Sequence, residues 1–379
     1  MIRSMKSLRA SVALAGVAAL MLSACGTTSG STTATGGCGH YNLAFLGAET
    51  GSNGALGQNM VGGIKLALKE YNDKHASCTV GFKGFDSQGD KTAATPLATT
   101  IIHDPTIVGL IGPGFSGESL ATGKTFFADR LPSISPSATN VTITQQGWTT
   151  WHRVIGNDAA QGAADAKYLT GLGKSKVYVI QDDSDYGKGL ATVAKGALGS
   201  AVTGTDQVAT GQTNFSATVS KVTAANADAV FYGGYYAESS LLVKQLRQAG
   251  YKGLFMSGDG SEDPAFVTGA GAAAANGAVL TAPAGPAPAS FNAKYKAVNG
   301  SDAGLYSTQA YDAANIFLAA LGAGKTSKTD INTFIGSYTG TGASGPIAFD
   351  SKGDITATTI YAYVVKGGKL DTANPTAIK

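Results

Sequence analysis

Two hydrophobic rhythms take turns along the chain. Short apolar runs at 41–46, 79–85 and 107–111 read as strands, and each ends in a turn of Gly, Ser or Asp. Between them, helical spacing at Ile64, Leu66, Ala67, Leu68 and Tyr71, then over 91–103, predicts helices. The chain returns through 131–135 and a strand at 151–155, and Gly156-Asn157-Asp158 reads as a crossover. The rhythm then restarts. Strands are predicted at 176–181, 202–208, 229–232 and 253–256, with helices reaching Ala197, starting near Phe215, and running through Leu246. The stretch 270–275 reads as a surface loop or frayed helix. Helices at 291–298, 306–321 and 330–338 follow, and strands at 347–350 and 359–365 close the chain. Repeated β-α units imply parallel sheets with helices on both faces. Two such series predict an α/β fold of two similar Rossmann-like lobes.

Ligands of open α/β sheets gather beyond the carboxyl ends of the strands. The strand-end residues here are Ser116, Ser137, Thr139, Tyr186, Tyr235 and Asp259. Leu110–Thr139 is the richest stretch: a strand, tight glycine turns, a helix start at Ser116, then Ser137-Ala138-Thr139. Hydroxyls at a helix N-terminus suit a carboxylate or phosphate. Gly112-Pro113-Gly114-Phe115-Ser116-Gly117 also matches the dinucleotide fingerprint, but 133–137 supplies no acidic residue at the next strand's end. A hydrolase elbow fails because Glu118 stands where glycine is required. His40, His75, His103 and His152 are scattered, read as surface or helix-face residues, and give no metal spacing. Asp182-Asp183-Ser184-Asp185 lacks the glycine and terminal glutamate of a calcium loop and reads as a solvated turn. Phe126 and Phe127 read as core.

Charged residues make up only 14 % of the 379, and the formal charge is +3. Setting aside Arg3, Lys6 and Arg9 leaves 25 basic against 25 acidic residues, without a basic run. That excludes a nucleic-acid footprint. Those three charges precede an apolar run over 12–22, so residues 1–24 read as an export signal. Leu22-Ser23-Ala24-Cys25 is similar to a bacterial lipobox, with Cys25 as the lipidated residue; the alternative is a secreted protein cut nearby. Residues 25–39 are rich in Gly, Ser and Thr and read as a flexible tether. In an oxidising compartment Cys38 and Cys78, just before the first two strands, are expected to form a disulfide.

An ordered set of segments then carries a resemblance: GAETGSNGALG, LIGPGFSGESL, ISPSAT, QDDSDYGKGLA, FYGGYYAES, FMSGDG and GPIAFDSKGD. From Tyr41 to the C-terminus the chain resembles the type I solute-binding proteins of bacterial ABC importers, specifically the leucine/isoleucine/valine-binding family, in lipoprotein form. The resemblance implies a three-segment hinge between lobe 1 (40–157 plus 283–357) and lobe 2 (158–282 plus 358–379). It implies no enzyme activity and no cofactor. The partners it implies are a small amino acid, ABC permease subunits, and a membrane reached through lipid on Cys25. The protein would be a monomer at the cell surface or in the periplasm. Ser116 and Thr139 would bind the ligand carboxylate, and Ser137, Thr139 and Asp259 its ammonium. Tyr186 and Tyr235 would contribute from the second lobe, while Leu56, Gly114, Phe115 and Tyr306 would line the side-chain pocket. The chain departs from the family pattern in several places. It has no disulfide at 86–89, Leu56 replaces an aromatic, Phe115 replaces a smaller residue, and Asp259 is shorter than the usual Glu. A polar amino acid, an amide, an aromatic acid or a sensory role are the alternatives.

Overall fold

Two twisted sheets, each covered by helices, make up the computed structural model, which describes residues 40–378. The first sheet holds β1 (Asn42–Gly47), β2 (Gly81–Asp86), β3 (Ile107–Ile111), β4 (Ser133–Ser135) and β5 (Trp151–Arg153). Its order is β2-β1-β3-β4-β5 and every pairing is parallel. All five β3 residues are buried, as a parallel strand covered on both faces requires. Its helices are α1 (Gly54–Lys74), α2 (Lys91–Ile102) and α3 (Ser116–Ala128).

The second sheet begins after α4 (Asp158–Gly171). It takes in β6 (Val177–Gln181), α5 (Asp185–Leu198), β7 (Val202–Gln207), α6 (Ser216–Ala224), β8 (Ala229–Gly233) and α7 (Tyr236–Gln248). β9 (Leu254–Ser257), α8 (Pro264–Ala270), α9 (Ala272–Ala275) and β10 (Val279–Ala282) continue it. The chain then returns to the first sheet as α10 (Ala289–Asn299), α11 (Ser307–Gly322), α12 (Lys328–Gly336) and the hairpin β11 (Thr339–Gly342) and β12 (Gly345–Ala348). It ends on the second sheet with β13 (Ile360–Lys366), β14 (Lys369–Leu370) and β15 (Thr376–Ile378), giving the order β14-β13-β10-β9-β8-β6-β7 with β15 against β13. β13 is antiparallel to β10. The chain thus passes between the sheets three times, over 154–157, 283–288 and 349–359.

α11 lies against α1, and Gly63 permits the approach: a Cβ there would sit 2.2 Å from the Ser307 carbonyl oxygen. This contact brings the start of α11 to the mouth of the first sheet.

Several expectations are corrected. The 158–171 region is a full helix, capped by the Asn157 side chain, which accepts from the N–H groups of Ala159 and Ala160. Its alanine-rich sequence has little amphipathic contrast, so periodicity did not reveal it. β10 was hidden in the same way among small residues. The 347–350 strand is the hairpin strand β12, while 270–275 holds the short α9, exposed at 271–273 as expected and buried only at Ala270 and Ala275. Phe126 is core, but Phe127 on the same helix is 39 % exposed. His152 is buried in β5 and Asp182 is buried at the end of β6. The signal segment, the tether, Cys25 and Cys38 lie outside the described residues. Among the described residues no helix is long and apolar enough to cross a membrane.

Candidate functional site

The carboxyl ends of both sheets face one cavity. Leu56, Met60, Gly114, Phe115, Ser116, Ser137, Tyr186, Tyr235, Asp259 and Tyr306 line it. The space left between them is about that of a single water molecule.

One wall is built on β3 and β4. Gly112, at φ +120°, turns the chain out of β3, because a Cβ there would meet the Leu46 carbonyl at 2.8 Å. α3 then starts at Ser116, and Glu118 in its first turn accepts the Phe115 N–H at 3.0 Å. Ser87 donates to the other oxygen of that carboxyl. Full burial pushes the Glu118 carboxyl up to about 8, so it is mostly neutral at pH 7 and leaves the helix N-terminus free to attract an anion. The Ser116 hydroxyl accepts the Asn140 N–H at 3.2 Å, joining α3 to the segment after β4. The Ser137 hydroxyl donates to the Gly114 carbonyl at 2.6 Å and lies 3.1 Å from the Met60 sulfur. Thr139 is fully buried, its carbonyl accepts the Asp158 N–H at 2.9 Å, and its hydroxyl has no hydrogen-bond partner within the protein. It is not among the ten residues that line the cavity.

The other wall centres on Asp259. Its two carboxylate oxygens accept the hydroxyls of Tyr186, at 2.7 Å, and Tyr306, at 2.5 Å. The Tyr186 oxygen in turn accepts the Gly260 N–H at 2.9 Å. Tyr306 reaches across from the start of α11 by adopting a left-handed backbone, φ +68° and ψ −4°, a conformation bulky residues rarely hold. Phe115, Tyr235 and Tyr186 form an aromatic row with centroids 5.3 Å and 5.0 Å apart. Burial raises the Asp259 carboxyl, while bonds from Tyr306 and Tyr186 oppose that rise. Burial also raises both phenols far above their usual range, so they remain donors.

The site therefore has a neutral, hydroxyl-rich side at a helix N-terminus and an acidic side at Asp259. A carboxylate oxygen can accept two bonds, so each Asp259 oxygen keeps a lone pair for a cation. The arrangement can hold a small molecule carrying both signs of charge.

Of the strand-end residues named from the sequence, the fold brings Ser116, Ser137, Tyr186, Tyr235 and Asp259 onto the cavity wall, together with Leu56, Gly114, Phe115 and Tyr306. Met60 was missed. It lies four residues after Leu56, one helical turn along the same face, and that spacing was the available signal. Asp158 was missed too. It is fully buried, its carboxyl faces the Thr139 side chain, and burial lifts it to about 7.

Contacts between the two sides hold the walls together. Asn140 donates to the Asp185 carbonyl at 2.6 Å, Lys91 pairs with the Asp185 carboxylate at 2.9 Å, and Asn59 reaches Asp263 at 3.4 Å.

Comparison with known proteins agrees with this architecture. A family model described as "Periplasmic binding protein" matches residues 40–369. The leucine-specific-binding protein of Salmonella typhimurium is 29 % identical over 329 residues, which cover 83 % of this chain and 87 % of that protein. A leucine-, isoleucine-, valine-, threonine- and alanine-binding protein of Pseudomonas aeruginosa is 26 % identical over 324 residues, 83 % and 86 % of the two chains. A crystal structure of a leucine binding protein from Thermotoga maritima superposes with a TM-score of 0.79 at 28 % identity, covering 88 % of this chain and 98 % of that one.

Proposed function

We propose that this chain, which belongs to the periplasmic binding protein family, captures a small α-amino acid between its two sheets, most favourably one with a branched aliphatic side chain. The observation that carries the reading is the opposition of charge preference across one cavity: Ser116 and the α3 N-terminus on one wall, Asp259 held by two tyrosines on the other. A zwitterion removed from water needs both charges matched. The carboxylate would take Ser116 and Thr139. The ammonium would take Asp259, the Ser137 carbonyl and the Thr139 hydroxyl, while Leu56, Met60, Gly114 and Phe115 meet the side chain. The relatives' specificities for leucine, isoleucine and valine support that choice.

Closure follows from the same chemistry, because the ligand bridges walls carried by separate sheets. The hinge would be the three passages at 154–157, 283–288 and 349–359, dividing lobe 1 (40–157 and 283–357) from lobe 2 (158–282 and 358–379). The closed complex would be delivered to the permease subunits of an ABC importer. The chain would be held at the membrane through lipid on Cys25, beyond a tether that lies outside the described residues. A Cys38–Cys78 bridge would close the base of the first sheet; Cys78 is disulfide-bonded, and Cys38 lies outside the described residues.

A thermal-shift panel of amino acids, amino-acid amides and aromatic acids tests this reading. A ligand at 100 times its Kd adds about 2.7 kcal/mol of stability. A shift with leucine, isoleucine or valine and a much smaller one with their amides supports the proposal. No shift with any α-amino acid overturns it, and a shift confined to aromatic acids assigns the cavity to that class.

A further inference from the structure

Behind the carboxylate wall sits a fully buried arginine. Arg153, the last residue of β5, has no exposed surface. Its Nη1 donates to the Ala138 carbonyl at 2.9 Å and the Asn140 carbonyl at 3.1 Å. Its Nη2 donates to the Thr144 hydroxyl at 3.2 Å, and its Nε pairs with the Asp354 carboxylate. The guanidinium carbon lies 5.0 Å from the centre of the Trp151 ring. One side chain thus uses its planar fork on four groups at once, a pattern that lysine cannot reproduce.

The two carbonyls it grips flank Thr139. The Thr139 carbonyl is itself held by the Asp158 N–H at 2.9 Å, so three consecutive peptide groups are fixed. Asn140 within that segment also donates its N–H to Ser116 and its side chain to the Asp185 carbonyl across the cavity. Arg153 therefore orients both hydroxyl residues of the carboxylate wall and one of the contacts that hold the walls shut.

At its other end the arginine reaches the passages between the sheets. Asp354 lies in the third passage, where the Arg153 N–H also donates to the Gly353 carbonyl at 2.9 Å. Gly353, at φ +87°, is pressed so close that a Cβ would sit 2.2 Å from the Trp151 carbonyl. The second oxygen of Asp354 accepts from Thr144 at 3.2 Å and lies 3.5 Å from the Asn157 amide, in the first passage. The anion-binding segment and two of the three passages thus meet on one ion pair.

We infer that Arg153 is the positioning residue that couples the Ser116–Thr139 carboxylate wall to the hinge, acting through Asp354. The inference rests on the amino-acid reading above. A buried guanidinium joined to a carboxylate suits this task because removing either partner strands a charge, which makes the linkage all-or-none. The contribution to binding is made through geometry, since Arg153 is not among the residues lining the cavity.

The experiment measures binding of the amino acid selected by the panel, and of its amide, to the wild type, Arg153→Lys and Thr144→Val. Calorimetry gives the affinities, and small-angle scattering gives the ligand-induced compaction. Arg153→Lys is expected to raise the Kd for the amino acid at least tenfold, to change the much weaker amide binding little, and to reduce the compaction. Thr144→Val removes two bonds at the rim of the cluster, one to Arg153 and one to Asp354, and keeps the measurement open if the lysine variant fails to fold. It is expected to give a smaller change, about two- to fivefold, with the same selectivity for the carboxylate. Equal losses for amino acid and amide, or unchanged affinity in folded variants, overturn the inference. Absence of amino-acid binding by the wild type would instead overturn the proposed function, so the two failures are distinguishable.

Discussion

The Tyr306 hydroxyl donates to Asp259 at 2.5 Å across the closed cavity, from a helix that packs on the first sheet to a turn that belongs to the second. Together with Tyr186 it leaves Asp259 oriented and fully buried, near the buried carboxyls of Asp158 and Asp165. Such a carboxylate is costly to keep unless a cation joins it.

Asp259→Asn tests that reading directly. The amide oxygen preserves an acceptor for a tyrosine while the charge is removed. Breaking a buried ion pair costs about 3–5 kcal/mol, or about two to three and a half decades in affinity. Binding should fall by at least a hundredfold in calorimetry. The ligand-free protein should unfold at an equal or higher temperature, because a buried charge without a cation is removed. Affinity like that of the wild type would show that the ammonium does not sit at Asp259.

The rim contact between Lys91 and Asp185 should behave differently. Both side chains reach solvent, 56 % and 29 % exposed, so the pair is screened and worth about 0.2–1 kcal/mol. Lys91→Met should raise the Kd less than about fivefold, and the difference should vanish by 0.5 M salt. A loss of a hundredfold would mean that the rim, not the cavity, drives closure.

Stability should fall as pH rises from about 5 to 8. Glu118 is held up to about 8 and Asp158 and Asp182 to about 7, each chiefly by burial. In that window the folded state keeps protons that the unfolded chain has released, so unfolding is favoured by rising pH, at about 1.4 kcal/mol per unit for each group. His152, lowered to about 4 by burial, works in the opposite sense. The folded state lacks its proton between about 4 and 6.5, so its contribution is lost as pH falls through that range. Glu118→Gln should flatten the thermal-midpoint profile between pH 5 and 8 by one group's share. A profile unchanged in slope would show that Glu118 is ionised in the fold.

Much of this site was legible in the sequence because an open α/β sheet delivers its ligand residues at strand ends. Ser116, Ser137, Tyr186, Tyr235 and Asp259 could be named from strand boundaries alone, before any side chain was placed. What periodicity could not show was depth. Thr139 is fully buried with its carbonyl held by the Asp158 N–H, and it is not among the residues that line the cavity. Asp182 reads as a solvated turn yet is buried, because its carboxylate accepts the backbone and hydroxyl of Ser184 at the start of α5. α4 escaped notice because alanine on its exposed face looks like alanine on its buried face.

Met60 shows how a residue of helical spacing can be more than core. It is fully buried one turn after Leu56, lines the cavity, and lies 3.1 Å from the Ser137 hydroxyl. Its methyl would lie 3.1 Å from a Cβ placed on Gly114, so Met60 and the Gly114 turn close the same end of the cavity. An unbranched thioether yields more readily than a β-branched side chain, which lets this end adjust to the ligand. Met60→Ala should open space beside Leu56 and Phe115 and cost about 2–5 kcal/mol of stability in the ligand-free protein. A ligand long enough to fill the new space recovers part of that loss on binding. The ratio of affinities for methionine over valine should therefore rise about tenfold or more in calorimetry, while the contribution of the carboxylate and ammonium stays constant. If both ligands weaken by the same factor, Met60 supports the wall without touching the ligand side chain, and side-chain size is read by Leu56 and Phe115 alone.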